Sequence, residues 1–132
     1  MARHWYSKLE QNPYSKWHRQ FDGIAMIDID SVECCKICFQ PLAFIELAKD
    51  VGQTFKAYTL TKKVAERFDV PGFVVLYKTN DVNTIIQFRV KRIAPGVGMM
   101  HPAVKPNDWY KYLKELQDEH VCEENKSYGG TI

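Results

Sequence analysis

Long apolar runs are what this 132-residue chain most plainly lacks. No stretch approaches the about 18 apolar residues that a bilayer-spanning helix needs, so no membrane-spanning helix is expected. The opening residues, MARHWYSKLEQ, contain no apolar core of the kind a secretory signal carries. A cytoplasmic location is therefore expected. Internal repeats and low-complexity tracts are missing too, which speaks against a solenoid or a disordered binding chain. Neither sign of charge dominates. Eighteen Lys and Arg stand against 16 Asp and Glu, and the net charge of +2 gives no global field that would draw in nucleic acid. Cysteine is sparse, four in all. In a reducing compartment such residues serve as free thiols or metal ligands rather than disulfides.

What is present is ordinary for a globular protein: 45% hydrophobic and 26% charged residues, enough chain for one domain with a real core. That domain is expected over residues 1–122, with a flexible tail over 123–132. Residues 3–11 have a helical pattern that Pro13 ends, and residues 14–21 (YSKWHRQF) suit a second short helix, aromatic and basic. Gly23 opens a strand over residues 24–33. A second strand spans 42–49. Asp50 and Gln53 have the spacing of a capping box, predicting a helix from there to Phe68 with Phe55, Tyr58, Val64, Ala65 and Phe68 on its apolar stripe. The unbroken run FVVLY, residues 73–77, reads as a buried strand. Another strand follows over 84–93, then a loop over 95–106 rich in Gly, Pro and Met. Asn107 or Asp108 caps a last helix with Trp109, Tyr112, Leu113 and Leu116 on one face. The strand–helix–strand unit from Leu42 to Tyr77 should be a right-handed parallel crossover. The fold class is thus α/β or α+β: a single domain with a mixed central sheet flanked by helices.

Acidic residues sit where buried strands should not have them. Asp28 and Asp30 alternate with Ile27 and Ile29, and Glu46 lies inside the apolar run LAFIELA. Residues two apart share a strand face. In a hairpin centred near Cys38, Asp30 falls opposite Glu46, and like charges directly opposed destabilise a sheet. A divalent cation between the carboxylates would remove that penalty, and Mg²⁺ or Mn²⁺ suits oxygen ligands. The plainer alternative is an acidic, solvated sheet face. Basic residues are uneven: Lys56, Lys62, Lys63 and Arg67 fall on the predicted helix, and Lys78, Arg89, Lys91 and Arg92 cluster later. Such patches bind phosphate or are simply solvated.

The turn between the two strands holds Cys34, Cys35 and Cys38. Cys35 and Cys38, followed by Pro41, have the spacing of half a zinc knuckle. Structural zinc needs four ligands. The second pair would be His120 and Cys122, with His101 in reserve. Small, partly buried thiols at a hairpin tip are the alternative.

Together, Asp28 and Asp30 on one strand, Glu46 on the next, and Gln53 with Lys56 on the following helix resemble the PD-(D/E)xK (restriction-endonuclease-like) nuclease superfamily over roughly residues 22–78. The small phage or prophage members are the nearest in kind. The resemblance implies a restriction-endonuclease-like core and Mg²⁺-dependent hydrolysis of DNA phosphodiester bonds, as an endo- or exonuclease, with a homodimer left open. The family's lysine two residues beyond the second carboxylate is replaced here by Ala48, and Lys49 points to the other strand face. Some members supply that lysine from the next helix, and Lys56 matches that position. The implied site is then Asp30 and Glu46 on the metal with Asp28 as a further ligand or an outer-shell partner, Lys56 by the attacking water, and Gln53 positioning it. A degenerate relative that binds nucleic acid or a protein without cutting, with structural zinc at the cysteine-rich turn, is the alternative.

Overall fold

Residues 73–77 lie at the centre of the sheet, as their unbroken hydrophobicity requires: a strand covered on both faces has no polar side. The structure, a computed structural model, describes residues 13–54 and 56–122. Its elements are α1 (Pro13–His18), β1 (Ser31–Cys34), β2 (Pro41–Lys49), α2 (Thr59–Phe68), β3 (Gly72–Thr79), β4 (Ile85–Ala94), β5 (Met100–Val104) and α3 (Pro106–Glu119). The strands form one sheet in the order β1-β2-β3-β4-β5. All neighbours are antiparallel except β2 and β3, which are parallel. A parallel pair needs a crossover, and α2 supplies it. The result is a small α+β domain with a mixed central sheet flanked by helices.

Side chains alternate between two covered faces. On one, Ala43, Ile45, Phe73, Val75 and Val90 are buried beneath Trp109, Tyr112 and Leu116 of α3. Phe73 meets the Trp109 and Tyr112 rings edge-on at 5.3 and 5.5 Å, an arrangement worth about 0.5–1.5 kcal/mol per pair beyond the area it buries. On the other face, Phe44, Ala65 and Ala94 pack with Val64 and Val70, and Val74, Leu76 and Ile93 pack with Tyr58 and Met100. Here α2 approaches β3 so closely that a Cβ on Gly72 would lie 3.0 Å from that of Ala65. Glu46, an even-numbered residue of β2, belongs to this α2 face.

Several elements differ from the sequence pattern. The first strand is short: residues 24–30 are irregular, and regular pairing begins at Ser31. Asp30 Oδ2 accepts the Leu47 N–H at 2.8 Å, capturing the amide that a longer ladder would use. No capping box forms at Asp50. Its carboxylate accepts the Gly52 N–H and is gripped by Arg89. Gly52 takes φ +83°, outside the helical range, so the helix starts only at Thr59. The 95–106 loop contains β5, paired to β4 through Val90–His101 and Lys91–Met100. The last helix begins at Pro106 with Lys105 at its cap, where a proline's missing N–H costs nothing. The predicted helix over 3–11, the tail over 123–132 and Phe55 lie outside the described residues.

Candidate functional site

The β1–β2 hairpin sets the geometry of the carboxylates. Ser31 pairs with Ile45, Val32 with Phe44 and Glu33 with Ala43, the register that puts Asp30 opposite Glu46. Glu46 is 6% exposed, held between the sheet and α2. Thr61, wholly buried on α2, donates its hydroxyl to Glu46 Oε1. Lys56 reaches back from the 50–58 loop and places Nζ 3.0 Å from Glu46 Oε2 and 3.1 Å from Asp30 Oδ2. Two carboxylates thus share one ammonium.

Burial raises the Glu46 pKa above its ordinary value, against hydrogen bonds from Thr61 and Lys56 that lower it. For Lys56, burial works to lower the pKa, but hydrogen bonds to Glu46 and Asp30 outweigh it and the net shift is upward. The lysine is therefore a fixed cation at neutral pH. It can orient an anion or stabilise developing negative charge, but it cannot accept a proton.

The other residues singled out in the sequence are placed differently. Asp28 is exposed in the irregular segment before β1, along a groove it lines with His18, Arg19 and Phe21. It does not join Asp30 and Glu46: among the described residues no third acidic side chain completes a cluster of metal-ligand size there. Gln53 is committed elsewhere. Its Oε1 accepts the Val51 N–H and its Nε2 donates to Lys49 O, each at 2.8 Å. Arg89 reinforces this loop with a two-point bond to Asp50 at 2.9 and 2.8 Å and a bond to Gln53 O at 2.7 Å. Gln53 therefore braces the loop that carries Lys56 rather than a reacting group. Lys62 bonds Ile93 O and Glu66, and Lys91 lies over the Tyr58 ring.

Thr61 was not singled out in the sequence, although a signal existed. It lies four residues before Ala65 and so on the same buried helix face, where a hydroxyl needs a partner.

At the far end of the hairpin, Cys35 and Cys38 meet His120 and Cys122 just beyond α3. Cys35 Sγ is 3.5 Å from Cys122 Sγ, and Cys38 Sγ is 3.1 Å from His120 Nε2. The four ligand atoms all lie within 4.8 Å of one another. The cluster can hold a metal ion. Cys34 and His101 stand outside it. Backbone N–H groups of Cys38 and Ile37 donate to Cys35 Sγ and hold that thiol down at about 7, while hydrogen bonding to Cys35 and burial push Cys122 up to about 12. A bound metal cation would favour the thiolate form of both sulfurs.

Compared with known proteins, the chain matches no family model, no curated protein and no solved structure. Among the described residues, no helix is long and apolar enough to cross a membrane.

Proposed function

We propose that this protein is a metal-dependent nuclease that hydrolyses DNA phosphodiester bonds, with Asp30, Glu46 and Lys56 as its site and a fold related to the PD-(D/E)xK nucleases. One observation carries the proposal. Lys56, absent from the strand position where that superfamily keeps its lysine, bonds both carboxylates from the following loop. The donor set fits Mg²⁺ or Mn²⁺: carboxylate oxygens on neighbouring strands, one of them buried, with two negative charges against one positive. Asp30 and Glu46 would hold the divalent ion, which when bound would supply positive charge for a scissile phosphate and lower the pKa of a bound water. The chain's own residues do the rest. Thr61 holds Glu46 and the Leu47 amide holds Asp30, and the Lys56 ammonium beside both would pair with a phosphate oxygen. Its permanent charge assigns it to electrostatic stabilisation.

For the cluster at the hairpin turn, three thiols and an imidazole favour zinc over Mg²⁺ or Ca²⁺.

The second reading is a catalytically silent module of the same fold that binds nucleic acid or a protein. The ion pairs favouring it are those of Lys56 itself, which partly neutralise the carboxylates without a metal. The two separate in one experiment: incubation with single-stranded, duplex and branched DNA in Mg²⁺, Mn²⁺ or EDTA. A nuclease cuts at least one substrate with metal and none with EDTA, and Asp30→Asn and Glu46→Gln abolish cutting while DNA binding persists. Binding without cutting in either metal would install the silent module instead.

A further inference from the structure

The Cys35, Cys38, His120 and Cys122 cluster joins two parts of the chain that the sheet does not connect. Cys35 and Cys122 are 87 positions apart. One pair sits in the turn between β1 and β2. The other follows α3, which is also anchored by its apolar face on the sheet and by Gln117. That side chain donates to Cys34 O and accepts the Lys36 N–H, so the end of α3 already touches the turn.

Three features distinguish the cluster from a chance meeting of thiols. Zinc–sulfur bonds of about 2.3 Å in tetrahedral geometry set sulfurs roughly 3.8 Å apart, and the ligand atoms here lie at comparable spacing, all within 4.8 Å. The turn is shaped around one sulfur. Phe39 takes φ +63° and donates its N–H to Cys35 O, while Cys35 N–H bonds Gln40 O, each at 2.9 Å. This fold-back brings the Ile37 N–H to Cys35 Sγ at 3.4 Å, and such amide–sulfur bonds stabilise a metal-bound thiolate. Finally, the protein itself supplies four ligands, so no coordination position is left for substrate or water.

Resting on the zinc reading above, we propose that this is a closed structural site, a staple by which Zn²⁺ pins the end of α3 to the β1–β2 turn and so holds in place the hairpin that carries Asp30 and Glu46. Cross-linking points so far apart removes much of the unfolded chain's freedom. It also fixes the outer strand, β1, which among the described residues has a neighbour on one side only.

Metal analysis of protein purified without added zinc tests the ion. One equivalent is expected in wild type and in Cys34→Ser, and replacement by Co²⁺ should give the intense visible absorption of tetrahedral thiolate-bound cobalt. Less than a tenth of an equivalent, with no cobalt spectrum, overturns the zinc reading. The staple is tested separately, by hydrogen exchange and thermal melting of the zinc-loaded protein with and without a chelator. Chelation should lower Tm by about 10 °C or more and deprotect residues 31–41 and 106–119 before the β2–β3 core. Unchanged protection in both segments would leave a zinc protein without a staple. Cys122→Ser should lose the metal and the chelator-sensitive part of the Tm; should it fail to fold, His120→Cys keeps four ligands and must retain both the metal and the Tm, and its failure to do so also sinks the proposal. None of these readouts depends on DNA cleavage.

Discussion

Lys56 follows Glu46 by ten residues in the chain, yet its ammonium nitrogen lies 3.0 Å from the Glu46 carboxylate. The contact is made from a loop, not a helix, and that loop is held by Arg89, Asp50 and Gln53.

Replacing Lys56 should cost both activity and stability. Lys56→Ala removes a positioned cation, and under the proposed nuclease activity the cleavage rate should fall by about 10²–10³-fold. It also strips a buried carboxylate of its charged partner, so unfolding free energy should drop by about 1–3 kcal/mol. Single-turnover cleavage and urea denaturation read the two effects. A variant that cuts as fast as wild type, while Glu46→Gln is dead, would remove Lys56 from the mechanism and leave the metal site standing.

Thr61→Val keeps the side-chain shape and deletes only the hydroxyl that holds Glu46 Oε1. Affinity for Mn²⁺ should weaken by about 10–100-fold, and Thr61→Ser should restore it. Calorimetric titration decides. Equal Mn²⁺ binding by wild type and Thr61→Val would show that the hydrogen bond does not orient the carboxylate.

The Asp50–Arg89 pair predicts a pH signature. Hydrogen bonds from Arg89 and from the Gly52 amide hold the Asp50 carboxyl below its ordinary value of 3.8. A carboxyl whose pKa is depressed on folding stabilises the protein above its unfolded pKa, and this is lost as pH falls through the folded one. The stability gap between wild type and Asp50→Asn should therefore hold steady from neutral pH to about 4.5 and shrink below about 4. Thermal melts across that range check it. A gap that stays constant down to pH 2 would mean that the pairing contributes nothing through charge.

Gly72→Ala tests the seat of α2. The added methyl would meet Ala65 Cβ at 3.0 Å and Ile93 Cγ1 at 3.3 Å, forcing the helix that carries Thr61 off the sheet. A loss of about 1–3 kcal/mol in unfolding free energy is expected from such overpacking. An unchanged denaturation midpoint would show that α2 can shift without cost.

Two kinds of information separate cleanly in this chain. The amino-acid sequence by itself determined the elements whose logic is local. Residues 73–77 had to be a covered strand because they have no polar face. The short connection made the first two strands antiparallel neighbours; the register centred near Cys38 was one choice among several, and the observed pairing of Ser31 with Ile45 is what sets Asp30 against Glu46. Trp109, Tyr112 and Leu116 recur at helical spacing and do face the sheet. The pair Cys35 and Cys38 had visible ligand spacing, and His120 with Cys122 was the available complement.

Only the tertiary structure decided the rest, because the competing partners come from distant parts of the chain. Asp50 and Gln53 satisfy the rule for a helix start, but Arg89, 39 positions on from Asp50, offers the carboxylate a stronger, two-point charged bond than a backbone amide can. That bond, with Gly52 at positive φ, unwinds the predicted first turns and takes Gln53 out of the site. The same unwinding frees Lys56 to fold back over the carboxylates. Asp28 shares a strand face with Asp30 only while residues 24–30 remain a strand. They do not, since Asp30 itself takes the amide that would continue the ladder. Thr61 became visible as a partner of Glu46 only once the crossover had laid α2 across β2.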